Sequence, residues 1–161
     1  MTRMMRCLLS LTALACASLN EDGYEVRVSS PSGVGKQKIQ VDGAEIELSV
    51  SPLSRNRRNV DVKAKVRNTG FTSLTLTSVG AQLEAESQSW EPVAWKAFWA
   101  DSIVANRVVL EPEQECGILC SFQIGSNPRE RFPKTLRFTM GALLREGRQL
   151  ELGAVELYLP E

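Results

Sequence analysis

Apolar residues recur at every second position along most of this chain, and that period restricts what it can fold into. Val60, Val62, Ala64 and Val66 alternate with Asp61, Lys63, Lys65 and Arg67, and Ile46, Leu48 and Val50 alternate with Glu45, Glu47 and Ser49. Successive side chains of a strand point to opposite faces, so each run sets one face on a core and the other in water, as antiparallel sheets do. Tyr24, Val26 and Val28 begin the pattern; Leu74 and Leu76 resume it after Asn68-Thr69-Gly70, and Leu83 and Ala85 form a further short run. Cys116, Ile118, Cys120, Phe122 and Ile124 share one face, and Leu136, Phe138 and Met140 make the next strand. Leu150 and Leu152 are followed by Val155, Leu157 and Leu159, a one-residue change of phase that predicts a β-bulge at Gly153-Ala154. Asp42-Gly43, Glu146-Gly147 and Pro128 are turn signals between runs. The expectation is an all-β domain over residues 24–161, an antiparallel β-sandwich of about seven to nine short strands.

One stretch fits two periods. Residues 90–105 hold all three tryptophans. As a strand, Val93, Trp95, Ala97 and Trp99 share a face; as a helix opened by Pro92, Trp95, Phe98 and Trp99 cluster instead. An irregular crossover with a short helical turn is expected there.

The first residues read as an address. Arg3 and Arg6 precede an apolar run of about ten residues that ends at small side chains, the layout of a secretory signal peptide over residues 1–15. The run falls short of the roughly twenty residues a membrane-spanning helix needs. Ala13-Leu14-Ala15-Cys16 resembles the lipobox of bacterial lipoproteins, although that pattern prefers leucine where Ala13 stands. The resemblance implies that Cys16 is diacylated and becomes the new N-terminus, and Ala17 after it favours the outer membrane. Ordinary signal peptidase would instead cut after Ala15 and release a soluble protein. Residues 16–23 are expected to be the lipidated end and a polar tether. Gly33-Val34-Gly35-Lys36 is not a phosphate loop, because Ser30 takes the first glycine's place and Gln37 follows the lysine.

Within the body, Val60–Leu76 (VDVKAKVRNTGFTSLTL) looks like the strand-Asn-x-Gly-strand hairpin of bacterial immunoglobulin-like envelope domains. Leu110–Phe122 (LEPEQECGILCSF) is similar to their later Leu-x-Pro-Gly element, with Glu113 where those domains carry glycine. The resemblance covers about a third of the chain and implies an immunoglobulin-like fold, a fold that hosts many functions.

Composition narrows the chemistry. Histidine is absent, which removes histidine-based triads and the usual mixed zinc sites. Lysine plus arginine equals aspartate plus glutamate at 19 each, so no basic field exists to gather nucleic acid. The one dense basic spot, Arg55, Arg57 and Arg58, reads as a solvated turn or, alternatively, a phosphate or lipid-headgroup site. No metal, no cofactor and no catalytic residue is expected.

Three groups of side chains invite a functional reading. Cys116 and Cys120 sit four residues apart on one strand, a span of roughly 13 Å, about twice the Cα separation a disulfide permits. They cannot pair unless Gly117 breaks the strand into a loop, and two buried thiols acting as small apolar side chains are expected. Trp90, Trp95, Phe98 and Trp99 either close one end of the core or form a platform for sugars or peptides, with at least one tryptophan partly exposed. Glu45 with Glu47, and Glu84 with Glu86, point side by side into solvent from a strand, unlike the convergent pair of a glycosidase. The functional expectation is a non-enzymatic, membrane-anchored envelope lipoprotein that binds or braces another envelope component. The alternative is a carbohydrate- or peptidoglycan-binding module using residues 90–99.

Overall fold

The computed structural model describes residues 25–26, 36–51, 58–99, 102–125 and 132–158. Every regular element among them is a strand: β1 Glu25–Val26, β2 Lys36–Val41, β3 Ala44–Val50, β4 Asn59–Asn68, β5 Leu74–Thr77, β6 Gln82–Ala85, β7 Gln88–Trp90 and β8 Ala94–Trp99. They continue as β9 Ser102–Ala105, β10 Arg107–Leu110, β11 Glu115–Gln123, β12 Thr135–Thr139, β13 Ala142–Arg145, β14 Arg148–Leu150 and β15 Val155–Tyr158.

These strands form three antiparallel sheets, consistent with a β-sandwich: β2-β3-β4-β11-β8-β9, β1-β15-β12-β6-β7 and β10-β5-β13-β14. Among the described residues, fifteen strands replace the expected seven to nine. Tight turns at Asp42-Gly43, Glu86-Ser87 and Glu146-Gly147 fold single runs into hairpins, and the chain changes sheet often enough to keep most strands short. Asp42, Glu86 and Glu146 each take a positive φ there, at 39°, 48° and 51°.

Alternation becomes burial directly. Val60, Val62, Ala64 and Val66 of β4 are buried, while Lys63, Lys65 and Arg67 between them are exposed. On β11, Cys116, Ile118, Cys120 and Phe122 follow the same rule, as do Leu136 and Phe138 on β12. The six-stranded sheet meets the five-stranded one where Phe122 and Phe138 pack edge to face, ring centroids 5.9 Å apart. Leu74, Leu76, Leu110 and Leu143 of the third sheet close the same core.

Three expectations are corrected. Within residues 90–105, the described residues hold no crossover with a helical turn: Ala94–Trp99 and Ser102–Ala105 pair as antiparallel strands β8 and β9, with Lys96 opposite Ala105 and Trp99 opposite Ser102. Pro92 lies before the ladder and costs it no donor, and the ladder with β11 selects the two-residue period, burying Trp95 and Ala97. At Gly153-Ala154 there is no bulge within one strand. The chain leaves the four-stranded sheet after Leu150 and joins the five-stranded one at Val155, so the phase change marks a change of sheet. Glu86 does not share a strand face with Glu84, because it sits in the turn after β6.

Candidate binding surface

A cleft of about 730 Å³ opens where three connections meet. One is the link Ser78–Ala81 between β5 and β6, held by Ser78 N–H on the Asn106 carbonyl at 3.0 Å and Ala81 N–H on the Ser78 carbonyl at 3.0 Å. The second is Glu91–Val93 before β8, held by Val93 N–H on the Ser121 carbonyl at 2.8 Å. Asn106, between β9 and β10, is the third. Val79, Val93 and Ile103 line this cleft and are 73%, 64% and 63% exposed. Apolar side chains so placed gain nothing from the core. Gln82, Glu91, Lys96 and Asn106 give the same wall a polar complement.

The four aromatic residues singled out from sequence are not brought together as one platform. Trp95 is buried on the inner face of β8 and its Nε1–H donates to the Met140 carbonyl at 3.2 Å. Phe98 stands on the opposite face, 42% exposed, opposite Ile103 in the β8–β9 ladder. Trp90 and Trp99 are partly buried and pack against the core from β7 and β8. Core closure therefore accounts for most of the aromatic surface, and Trp95 alone of the four lines the cleft.

Cys116 and Cys120 are free and buried. Burial pushes the Cys116 thiol up to about 11, with the Glu115 carboxylate adding to the effect, and pushes Cys120 up to about 12. Both stay protonated near neutral pH, the reverse of what a thiolate nucleophile needs. The Cys120 thiol lies 3.9 Å from the same Met140 carbonyl that accepts from Trp95.

Arg58 departs from the solvated turn expected of it. It is buried at 8% exposure, donates from Nε to the Ile124 carbonyl at 2.8 Å, and lies over the Phe132 ring at 4.4 Å. Arg55 and Arg57 lie outside the described residues, as does Cys16. Glu45 and Glu47 share a concave face with Lys38, Lys65, Arg67 and Glu115, where Lys65 pairs with Glu115 at 3.0 Å. Carboxylates there face cations rather than one another. Among the described residues, no group of three or more His, Cys, Asp or Glu is placed to hold a metal ion.

Sequence reasoning singled out neither Val79 nor Ile103, and took Val93 only as one of a run with Trp95, Ala97 and Trp99. Val79 is a single apolar residue in the connection between β5 and β6, with no periodic neighbour to draw attention to it. Sequence reasoning also missed the polar node around Asn68, which is fully buried. The Asn68 amide donates to the Thr72 carbonyl at 2.8 Å and the Leu110 carbonyl at 3.0 Å, and its Oδ1 accepts from Gly70 N–H at 3.0 Å. The Asn-x-Gly spelling was the available signal. Glu113, standing where the resembled envelope domains carry glycine, has φ 68° and donates its N–H to the Asn68 carbonyl at 2.8 Å, so the turn forms without glycine.

The fold and the cleft together define a class, an all-β chain of three antiparallel sheets with an apolar-rimmed concavity at their connections. Comparison of the chain with protein-family models, with curated proteins and with solved structures finds no match.

Proposed function

We propose that this chain is a non-enzymatic envelope lipoprotein, held at a membrane by acylated Cys16, whose immunoglobulin-like sandwich binds another envelope protein. The observation that carries the reading is the convergence of exposed Val79, Val93 and Ile103 on one cleft. Apolar groups gathered within a polar surround are what a protein contact desolvates, and scattered ones are not. Tethering adds to this, because confinement at a membrane raises the domain's effective concentration for its neighbours. The test places a photo-crosslinking phenylalanine analogue at Val93 or Val79 of the full-length chain in intact envelopes. Reproducible capture of one abundant envelope protein is expected; failure to capture any protein from either position overturns the reading.

A second reading takes the same cleft as a glycan or peptidoglycan site, favoured by Trp95 lying beside Gln82, Glu91 and Asn106. Titration with peptidoglycan fragments, followed by tryptophan fluorescence, separates the two. Saturable quenching supports the glycan site, and an unchanged spectrum supports the protein contact.

A further inference from the structure

Among the described residues, five large apolar side chains stand exposed: Phe71, Val79, Val93, Phe98 and Ile103. Phe71 sits in the loop between β4 and β5, and the other four gather. Val79, Val93 and Ile103 line the cleft, and Phe98 lies directly opposite Ile103 in the β8–β9 ladder. Residues paired across antiparallel strands share a face, with Cβ atoms about 5 Å apart. Ile103 therefore carries the apolar lining out of the cleft and onto the outer face of the six-stranded sheet.

The register fixes what lies beyond Phe98. One row across the sheet reads Lys65, Gly117, Phe98, Ile103, and the next reads Lys63, Leu119, Lys96. Ile103 and Lys96 also line the cleft, so both rows run into it. Gly117 is the unusual member. The ladders on both sides of it are regular, and its φ lies outside the left-handed region. A Cβ there would meet Phe98 Cβ at 3.8 Å and Cδ2 at 4.0 Å, which is ordinary contact. The strand has room for a side chain and forgoes one, although glycine weakens a strand interior. A bare position of this kind marks a place where a ligand or another backbone comes close.

Charge states what kind of surface fits. Lys63 and Lys96 bracket half-buried Leu119 from the strands on either side of it. Lys65, beside Gly117, is already paired with Glu115 at 3.0 Å. Among the described residues, no carboxylate pairs with Lys63 or Lys96. Asp61, two residues before Lys63, keeps Oδ1 buried without a hydrogen-bond partner, and Glu91 lies on the connection before β8. Two lysines thus flank the apolar strip with no opposite charge to answer them.

We infer that the contact proposed for the cleft extends over Ile103 and Phe98 to Gly117 and Leu119, and that its partner is a protein with an apolar ridge flanked by carboxylates. The inference rests on the reading of the cleft as a protein contact and gives that contact a footprint and a charge. A ridge seated at bare Gly117 packs against Phe98 and Leu119 and sets its carboxylates beside Lys63 and Lys96. Complementary charge of this kind fixes register and rejects wrong partners.

The test uses the full-length chain in intact envelopes, with the photo-crosslinking phenylalanine analogue at Val79 as reporter. Gly117→Thr fills the bare position with a residue that suits a strand, and should lower capture about tenfold without lowering the urea midpoint. Lys63→Glu combined with Lys96→Glu should lower capture as much, because like charges then face the partner. Arg148→Glu, on β14 at the far side of the third sheet, should leave capture unchanged. The analogue moved to Leu119 should capture the same protein as the analogue at Val79. Undiminished capture from Val79 in both the Gly117 and the lysine variants confines the contact to the cleft; it overturns this inference and leaves the cleft reading standing. No capture from Val79 or Val93 in the unaltered chain removes the cleft reading, and this inference with it. A Leu119 adduct made only of lipid, or of two copies of this chain, overturns the assignment to an acidic partner protein.

Discussion

Arg145 Nη2 donates to Asn68 Oδ1 at 2.8 Å, joining the end of β13 to the end of β4 across 77 residues of chain. The same nitrogen donates to the Gly43 carbonyl at 3.0 Å, so one guanidinium ties the β2–β3 turn, the β4–β5 loop and the third sheet together. Arg145 Nε is buried with no hydrogen-bond partner, so the clamp is not fully satisfied. Buried polar groups of this kind specify geometry at some cost in stability.

Asn68→Ala should destabilise the fold by about 3 kcal/mol, because the Thr72 and Leu110 carbonyls and the Gly70 N–H lose their partner at once. Asn68→Asp should also destabilise, since an ionised carboxylate cannot donate to either carbonyl. Urea denaturation measures both. Phe71, fully exposed in the adjoining loop, provides the contrast: Phe71→Ala should change stability by no more than about 0.5 kcal/mol.

Gly70→Ala should cost about 2 kcal/mol, because its new methyl group would overlap the Arg145 guanidinium. In an Arg145→Ala background the same substitution should cost almost nothing. A double-mutant cycle showing coupling above about 1 kcal/mol is the expected result, and additivity would show that Arg145 does not press on Gly70.

The two core thiols should resist Ellman's reagent in the folded protein at pH 8 and react fully once it is unfolded. Their folded values, about 11 and about 12, lie above the ordinary 9.0. Above pH 9 the unfolded chain therefore binds fewer protons than the folded one. This contribution to stability is complete below about pH 9 and is lost as pH rises through the folded values. Denaturation midpoints should fall between pH 9 and pH 11, and Cys120→Ala should reduce the slope.

Cys16→Ala should abolish labelling by radioactive palmitate and move the protein from the membrane to the soluble fraction. Two acyl chains are enough for stable attachment where one is marginal, so the shift should be nearly complete. Retention of label or of membrane attachment would refute the anchor.

Trp95→Phe should cost about 1–2 kcal/mol, leaving the Met140 carbonyl with the weak Cys120 thiol alone. Thermal melts check this, and a loss below about 0.3 kcal/mol would show that the indole hydrogen bond contributes little.

Much of the fold was legible without the structure, because alternation is a local property of the chain. Once Val60, Val62, Ala64 and Val66 share a face, so do their neighbours in water, and the buried set on β4, β11 and β12 follows. The missing histidine and the expected inertness of Cys116 and Cys120 needed only composition and strand geometry. Local pattern says nothing about which strand lies beside which. Leu150 and Val155 joined different sheets because of partners that lie far away in sequence, and Ala94–Trp99 became a strand because β11 offered a ladder. The bond from Arg145 to Asn68 and the gathering of Val79, Val93 and Ile103 at one cleft have the same origin. Each depends on long-range pairing, which the two-residue period permits but cannot choose.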